Sequence, residues 1–272
     1  MKKLATKAAE LRQLIIQSLA EAGSGHPGGA LSAIDILTTL YYQEMTIEPS
    51  NYDSVARDHF ILSKGHAAPA LYAVLADKGF IKKDDLPQLR KFGSKLQGHP
   101  DKNKTYGVDA SSGSLGQGLS IANGLALAKR LDHCDCYTYV LLGDGELQEG
   151  QVWEAAMSAA HYQLDHVIAL VDHNGLQIDG TNDEVMKVED IAAKFAGFNW
   201  QVLQADGHDF TSLTQAIQAA KKNQGAPTVI VCNTVKGKGI SFMENQVSWH
   251  GKAPSAVEAS QALAELQGRS SK

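Results

Sequence analysis

Asp144 stands between Gly143 and Gly145, and Asn174 follows thirty residues later. That spacing carries chemistry if the two residues close neighbouring strands. Residues 137–142 are β-branched, aromatic or apolar, as a buried strand of a parallel sheet requires. Residues 148–162 change to helical periodicity, with Val152, Ala156, Ala159 and Ala160 on a small apolar face. A second apolar run at 166–171 ends in Asp172-His173-Asn174-Gly175. A right-handed crossover lays such strands side by side and parallel, so Asp144 and Asn174 are expected at one sheet edge. Mg²⁺ is held by one or two carboxylates together with phosphate oxygens and water. Asp144, Asn174 and one main-chain carbonyl would leave room for a diphosphate. The bland alternative, a turn aspartate that caps the next helix, does not explain the Asn in the matching place.

Four histidines stand beside Gly or Pro in loop-like strings: Ser24-Gly25-His26-Pro27-Gly28, Ser63-Lys64-Gly65-His66-Ala67, Gly98-His99-Pro100 and Trp249-His250-Gly251. Imidazoles in loops can donate to phosphates and carbonyl oxygens and exchange protons with hydroxyls. Taken singly, each is more readily a structural or exposed residue, and none has zinc-like spacing. His161 and His166 read as surface residues flanking a turn. Glu149 has a plain role as an acid at a helix N-terminus. Lys236-Gly237-Lys238-Gly239 suggests either an anion cradle or a mobile solvated loop, its lysines placed to steer phosphorylated sugars. Competing phosphate motifs fail. There is no G-x-x-x-x-G-K-[ST], Gly113-x-x-Gly116-x-Gly118 has the wrong spacing, and Gly23-x-Gly25-x-x-Gly28 follows a helical pattern where a strand is required.

The elements that must position these residues are legible as an alternation. Residues 4–22 repeat apolar side chains at three- and four-residue steps, and a second helical pattern covers 32–42 with Ser32 as its N-cap. Short strands at 59–62, 200–205 and 228–235 and helices at 67–77, 115–131, 211–222 and 255–267 complete the pattern. Between them, residues 79–109 form a long polar loop of the kind that is more often functional than idle. Gly116, Gly118 and Gly124 lower helix propensity within 115–131 and imply close packing there. The expected fold is one α/β domain, residues 1–272, doubly wound around a mostly parallel sheet.

The chain has 272 residues and a formal net charge of −5, which gives no basic footprint for nucleic acid. No apolar stretch approaches membrane-spanning length. Cys134 and Cys136 flank a single residue, too short for an easy disulfide, and Cys232 lies in an apolar run. Three free thiols fit a cytoplasmic location.

The Gly143-Asp144-Gly145 and Asn174 pair resembles the thiamine-diphosphate signature. The four histidine strings, together with Gly113-Ser114-Leu115-Gly116-Gln117-Gly118, look like transketolase motifs in transketolase order, from about Lys7 to Pro254. This resemblance implies a thiamine-diphosphate-binding fold of the diphosphate-binding type. It assigns Asp144, the Asn174 side chain and the Leu176 carbonyl to Mg²⁺, with Ca²⁺ or Mn²⁺ as substitutes. It places the Gly145 amide, His66 and His250 on the diphosphate, and the Gly113 main chain on the aminopyrimidine. Leu115 and Ile178 become apolar neighbours of the cofactor. His26, His99 and His250 are expected to reach substrate hydroxyls, and Glu149 to join a network between paired active sites.

In this family the glutamate that activates the cofactor lies in a separate pyrimidine-binding domain, as do the arginines that hold the sugar phosphate. Glu44 and Glu244 lack such surroundings, and the sequence ends at Lys272 soon after Trp249-His250-Gly251. The resemblance therefore implies the N-terminal subunit of a split transketolase, although a shortened piece of a full-length enzyme would read the same. The subunit would transfer a two-carbon ketol unit between sugar phosphates together with a C-terminal, pyrimidine-domain subunit, as a dimer of heterodimers. The alternatives are a non-catalytic cofactor-binding or regulatory module, and a deoxyxylulose-phosphate-synthase-like or specialised ketose-phosphate enzyme. The several matched histidines argue against the synthase.

Overall fold

Strands that carry apolar side chains on both faces form a sheet that must be covered on both sides. In the computed structural model, which describes residues 1–270, five strands form one parallel sheet: β1 (His59–Leu62), β2 (Thr138–Gly143), β3 (Val167–His173), β4 (Gln201–Asp206) and β5 (Thr228–Asn233). Their spatial order is β1-β2-β3-β5-β4. The helices in chain order are α1 (Lys2–Ala22), α2 (Pro27–Thr39), α3 (Ala68–Lys78), α4 (Gln117–Leu131), α5 (Gly150–His161), α6 (Asn182–Val185), α7 (Ile191–Gly197), α8 (Phe210–Lys221) and α9 (Ala256–Ser270). Tyr139, Leu141, Ile168, Leu170 and Ile230 enter a core shared with α1, α2, α3, α8 and α9. Their sequence neighbours Val140, Leu142, Ala169, Val171 and Val229 enter the opposite core, under α4, α5 and α7. This is the doubly wound α/β class expected from the alternation.

The register sets the functional edge. Gly143 of β2 lies opposite Asp172 of β3, so Asp144 and Asn174 leave adjacent strands side by side. On the far side of β3, Asp172 pairs with Cys232 and His173 with Asn233, which places the loop after β5 at the same edge.

Several boundaries differ from the sequence reading. Helix α2 begins at Pro27, with His26 at the N-cap position, because the fixed φ of proline suits a first helical residue. Ser32 is therefore no cap; it is buried within α2 and donates to Asp172 Oδ2 at 2.5 Å. The helix expected over 148–162 is α5, Gly150–His161, and a 3-10 turn, Gly145–Gln148, which was not foreseen, precedes it. Helices α6 and α7 were not foreseen. Asp190 caps α7 by accepting from the Ala193 amide at 2.9 Å, and Phe195 packs on Trp153 and Trp200.

Cys134 and Cys136 are paired as a disulfide, contrary to expectation. His133 adopts φ 54°, and the turn after α4 brings the two Cα atoms to 5.4 Å. Two of the three thiols thus no longer argue for a reducing compartment. His166 is not a free surface residue: it is half-buried between Asp135 and Asp165, and these carboxylates raise its pKa despite partial burial. Among the described residues no helix is long and apolar enough to cross a membrane.

Candidate active site

The floor of the site is the edge where β2 and β3 end. The Asp144 carboxylate accepts from the Gly145 amide at 2.8 Å and the Gly175 amide at 2.6 Å. Asn174 Oδ1 accepts from the Leu176 amide at 3.2 Å, and the Leu176 carbonyl accepts from Lys236 Nζ at 2.9 Å. Burial raises the Asp144 pKa, the Gly175 amide opposes this, and the nearby Asp172 raises it further. A divalent cation would relieve that penalty. The donor set is all oxygen and carries one formal charge, which fits Mg²⁺ completed by phosphate oxygens. Among the described residues no group of three or more His, Cys, Asp or Glu could hold a metal unaided. The Gly145 amide, expected to face a diphosphate, is here engaged by Asp144.

The walls come from loops far apart in sequence. His26, His66, His99, Gly113, Leu115, Asp144, Gly145, Glu149, Asn174, Leu176, Ile178 and His250 all line one cavity of about 410 Å³. The rings of His26, His66 and His250 form a triangle, with centroids 5.4 Å (His26–His66), 5.6 Å (His26–His250) and 5.3 Å (His66–His250) apart. Burial, then Arg90, His99 and Lys236, lower His26 to about 4. Burial, then Lys236, His26 and Lys64, lower His250 to about 3, and burial holds His66 well below its ordinary value. At neutral pH these rings are uncharged, able to donate from one nitrogen and accept at the other. Gly113, at φ 149°, admits the His99 ring: a Cβ built there would lie 3.1 Å from His99 Cγ. Glu149 occupies the N-cap position of α5, makes no capping hydrogen bond and is exposed. Ile178 stands at the mouth, 66% exposed.

Four residues that the sequence reading passed over or placed otherwise are structurally central. Lys236 is buried rather than on a mobile loop; its Nζ lies 2.9 Å from His250 Nδ1, and burial with Lys64 nearby lowers its pKa to about 8. Lys64 is buried against Asp172 and donates to the Gly29 carbonyl at 3.0 Å. Asp172, fully buried, also accepts from Ser32 and Thr234; burial opposes its charge, but Lys64 and these donors keep its pKa below the usual range. Glu146 accepts from Ser63, from the Gly116 amide at 2.8 Å and from the Gly143 amide at 3.0 Å, tying the loop before α4 to the end of β2. The signals were present as an Asp closing a buried strand and a Lys inside a glycine turn, but neither names its partner.

A remote buried network fixes Lys236. Arg12 of α1 makes a bidentate pair with Asp35 of α2, at 2.9 and 2.7 Å. Arg12 Nε donates to the Lys238 carbonyl at 2.9 Å, and His208, bound to Asp35, accepts from the Val235 amide at 2.8 Å. Both flanks of Lys236 are thereby anchored to the helical layer.

Comparison with known proteins agrees with the fold and with the family resemblance. The family described as transketolase, thiamine diphosphate binding domain, matches residues 3–268. A 6-deoxy-6-sulfo-D-fructose transketolase subunit from Clostridium sp. (strain MSTE9) is 43% identical, over 94% of each chain. An apulose-4-phosphate transketolase subunit from Phocaeicola vulgatus is 38% identical, over 95% of this chain and 92% of its own. The crystal structure of transketolase from Campylobacter jejuni superposes with a TM-score of 0.92 at 32% identity, covering 98% of this chain and 43% of that one. Transketolase from Homo sapiens is 39% identical over 98% of this chain and 42% of its own length, so the chain spans about two fifths of such enzymes. The fold is that of a thiamine-diphosphate-binding α/β domain. The chain belongs to the transketolase family, as a transferase-type component corresponding to the N-terminal part of the longer enzymes.

Proposed function

We propose that this chain is the diphosphate-binding subunit of a split, Mg²⁺-dependent transketolase that moves a two-carbon ketol unit between sugar phosphates. The observation that carries this reading is the convergence, in one cavity, of the Asp144–Asn174–Leu176 oxygen set with the His26, His66 and His250 rings and Lys236. Thiamine diphosphate, when bound, supplies the carbanion chemistry of such transfers. Asp144, Asn174 and the Leu176 carbonyl hold the cation, with Ca²⁺ or Mn²⁺ as substitutes. His66 and His250 donate to the diphosphate, and the Gly113 main chain, Leu115 and Ile178 frame the rest of the cofactor. His26, His99 and His250, neutral at pH 7, accept from and donate to substrate hydroxyls. Glu149, exposed at the start of α5, is placed to enter a network across a subunit interface.

Residues 1–272 act as one cofactor-binding domain in the cytoplasm. The acid that activates the aminopyrimidine comes from a C-terminal, pyrimidine-domain subunit, in a dimer of heterodimers. The relatives named as subunits support a partner, and their substrates, a sulfonated and a phosphorylated ketose, support a specialised donor. The test is reconstitution with saturating thiamine diphosphate and Mg²⁺ over a panel of ketose and aldose phosphates. The chain alone is expected to be silent and the pair active. Robust turnover by a preparation shown by mass spectrometry to contain only this polypeptide would overturn the split-enzyme reading, and cofactor binding without turnover in the pair would leave a non-catalytic module.

A further inference from the structure

Glu146 is a carboxylate that lines the cavity, 3% exposed, yet belongs to neither the oxygen set of the floor nor the histidine walls. It is carried by the 3-10 turn Gly145–Gln148, between Asp144 and α5. From there its two oxygens reach different parts of the site. Oε2 accepts from the Gly143 amide at 3.0 Å, at the end of β2. Oε1 accepts from the Gly116 amide at 2.8 Å, at the end of the loop that brings Gly113 and Leu115 to the cavity, and from the Ser63 hydroxyl. Hydrogen bonds to an ionised acceptor are the strong ones, and here three of them meet on one buried group.

The loop has little else to hold it. Among the described residues no amide from Gly113 to Leu115 donates a hydrogen bond, so the Gly116 amide is the loop's polar tie before α4 begins at Gln117. Ser112 Oγ, just before the loop, is buried without a hydrogen-bond partner. Packing acts at the same point: Gly116 adopts φ 85°, and a Cβ built on it would lie 2.7 Å from Glu149 Cβ. The turn and the residue that ends it thus grip Gly116 from two sides, one through its amide and the other through its Cα. The floor has supports of its own. Gly143 lies opposite Asp172 in the sheet, and the Asp144 carboxylate is held by the Gly145 and Gly175 amides. Removing the Glu146 carboxylate therefore frees the loop and leaves the floor in place.

We propose that Glu146 is a positioning residue for the cofactor, holding the loop that frames the rings of thiamine diphosphate at a fixed distance from the Asp144 floor that takes its diphosphate. This rests on the cofactor placement proposed above. Glu146 acts through Gly116 and touches neither the cation nor the reacting atoms. A carboxylate suits the task because it accepts at both ends, whereas a glutamine of the same shape must turn its NH₂ toward one of two main-chain N–H donors.

Thiamine diphosphate and inorganic diphosphate separate the two ends of the site, since the second has no rings. Each is titrated calorimetrically, with Mg²⁺, into the chain reconstituted with its pyrimidine-domain partner, for wild type, Glu146→Ala and Glu146→Gln. Affinity for thiamine diphosphate is expected to fall about tenfold in Glu146→Ala, as for loss of one charge-assisted hydrogen bond, and by less in Glu146→Gln, while affinity for inorganic diphosphate changes by less than about twofold in both. If Glu146→Ala fails to fold, Glu146→Gln, which keeps the volume, decides the same comparison. Amide hydrogen exchange in the full chain without ligand tests the tie itself: residues 113–116 should exchange faster in the variants than in wild type, and the β2 amides from Thr138 to Leu142 should not. An equal loss for both ligands would make Glu146 a general support of the fold, and an undiminished affinity for thiamine diphosphate would remove it from cofactor placement; either result refutes the proposal. A pair that binds thiamine diphosphate without turnover would count against ketol transfer alone, and the ratio of the two affinities would still decide the role of Glu146.

Discussion

Asp144 is the one charged member of the proposed cation set, so its charge and its shape can be separated by mutation. Asp144→Ala removes both, and Asp144→Asn keeps an acceptor for the Gly175 amide while removing the charge. Both are expected to weaken Mg²⁺-dependent thiamine diphosphate binding by about 3 kcal/mol or more, roughly a hundredfold, because the diphosphate then faces an incompletely neutralised site. Calorimetric titration in the presence of the partner, with Mg²⁺ or with chelator, checks this; unchanged affinity in both variants would place the cation elsewhere. His66 offers a second residue-scale prediction. Burial lowers its folded pKa well below the ordinary value of 6.5. As pH falls through 6.5 the unfolded chain takes up a proton that the folded chain refuses, so stability declines, at most by about 1.4 kcal/mol per pH unit for this group. The decline continues until the folded pKa is reached. His66→Gln should remove this contribution, so the stability gap between wild type and variant, measured by urea denaturation at pH 7.5 and 5.0, must narrow or invert at the lower pH. A constant gap would mean that His66 charges normally in the fold.

At the scale of elements, the glycines of α4 have different reasons for being glycine. A Cβ on Gly118 would lie 2.3 Å from Ser63 Oγ and 2.8 Å from Ser63 Cα. Ser63 cannot swing aside freely, since its hydroxyl donates to the buried Glu146 and accepts from the Gly118 amide. Gly118→Ala therefore forces helix and strand apart and should cost about 1–3 kcal/mol. A Cβ on Gly124 meets nothing within 4 Å, and its backbone is ordinary helix. Gly124→Ala should stabilise the isolated chain by about 0.5–1 kcal/mol through helix propensity and lost freedom of the unfolded chain. Opposite signs in denaturant midpoints are the expected outcome; stabilisation by both would show that α4 tolerates displacement from β1. The sequence indicated that these glycines allow close packing, and this holds for Gly118 but not for Gly124, whose side of the helix faces away from the sheet.

Over the whole molecule, the parallel sheet gathers the site at the carboxyl ends of its strands, where ligands of open α/β sheets bind. Loops after α1, β1, β2, β3 and β5 all reach that edge, and the buried Lys64–Asp172 pair stands at its centre. Breaking such a pair from one side leaves an uncompensated buried charge, which explains why Ser32, Thr234 and the Gly29 carbonyl surround it. The carboxylates lining the cavity are already occupied or outlying: Asp144 holds two amides, Glu146 three donors, and Glu149 is exposed at the start of α5. This distribution is consistent with the proposal that the activating acid comes from a second polypeptide.

What the amino-acid sequence determined alone was local. Apolar runs on both faces fixed the strands, periodicity fixed most helices, and the Asp144 and Asn174 spacing with the glycine-flanked histidines pointed to the chemistry proposed above. Short-range rules reached these because strand, turn and helix propensity depend on adjacent residues. Only the tertiary structure decided the rest. Ser32, read locally as a cap, lies inside α2 and donates to Asp172, 140 residues away. Helix α7 formed on two aromatic rings from other elements, and His133 turned the chain to bring two cysteines together. Lys236, in a glycine-flanked string that reads either as an anion cradle or as a mobile loop, became a buried cavity wall because Arg12, 226 residues from Lys238, and His208 pin its neighbours. Burial and its consequences for charge are set by partners distant in sequence, and no local pattern encodes which ones will arrive.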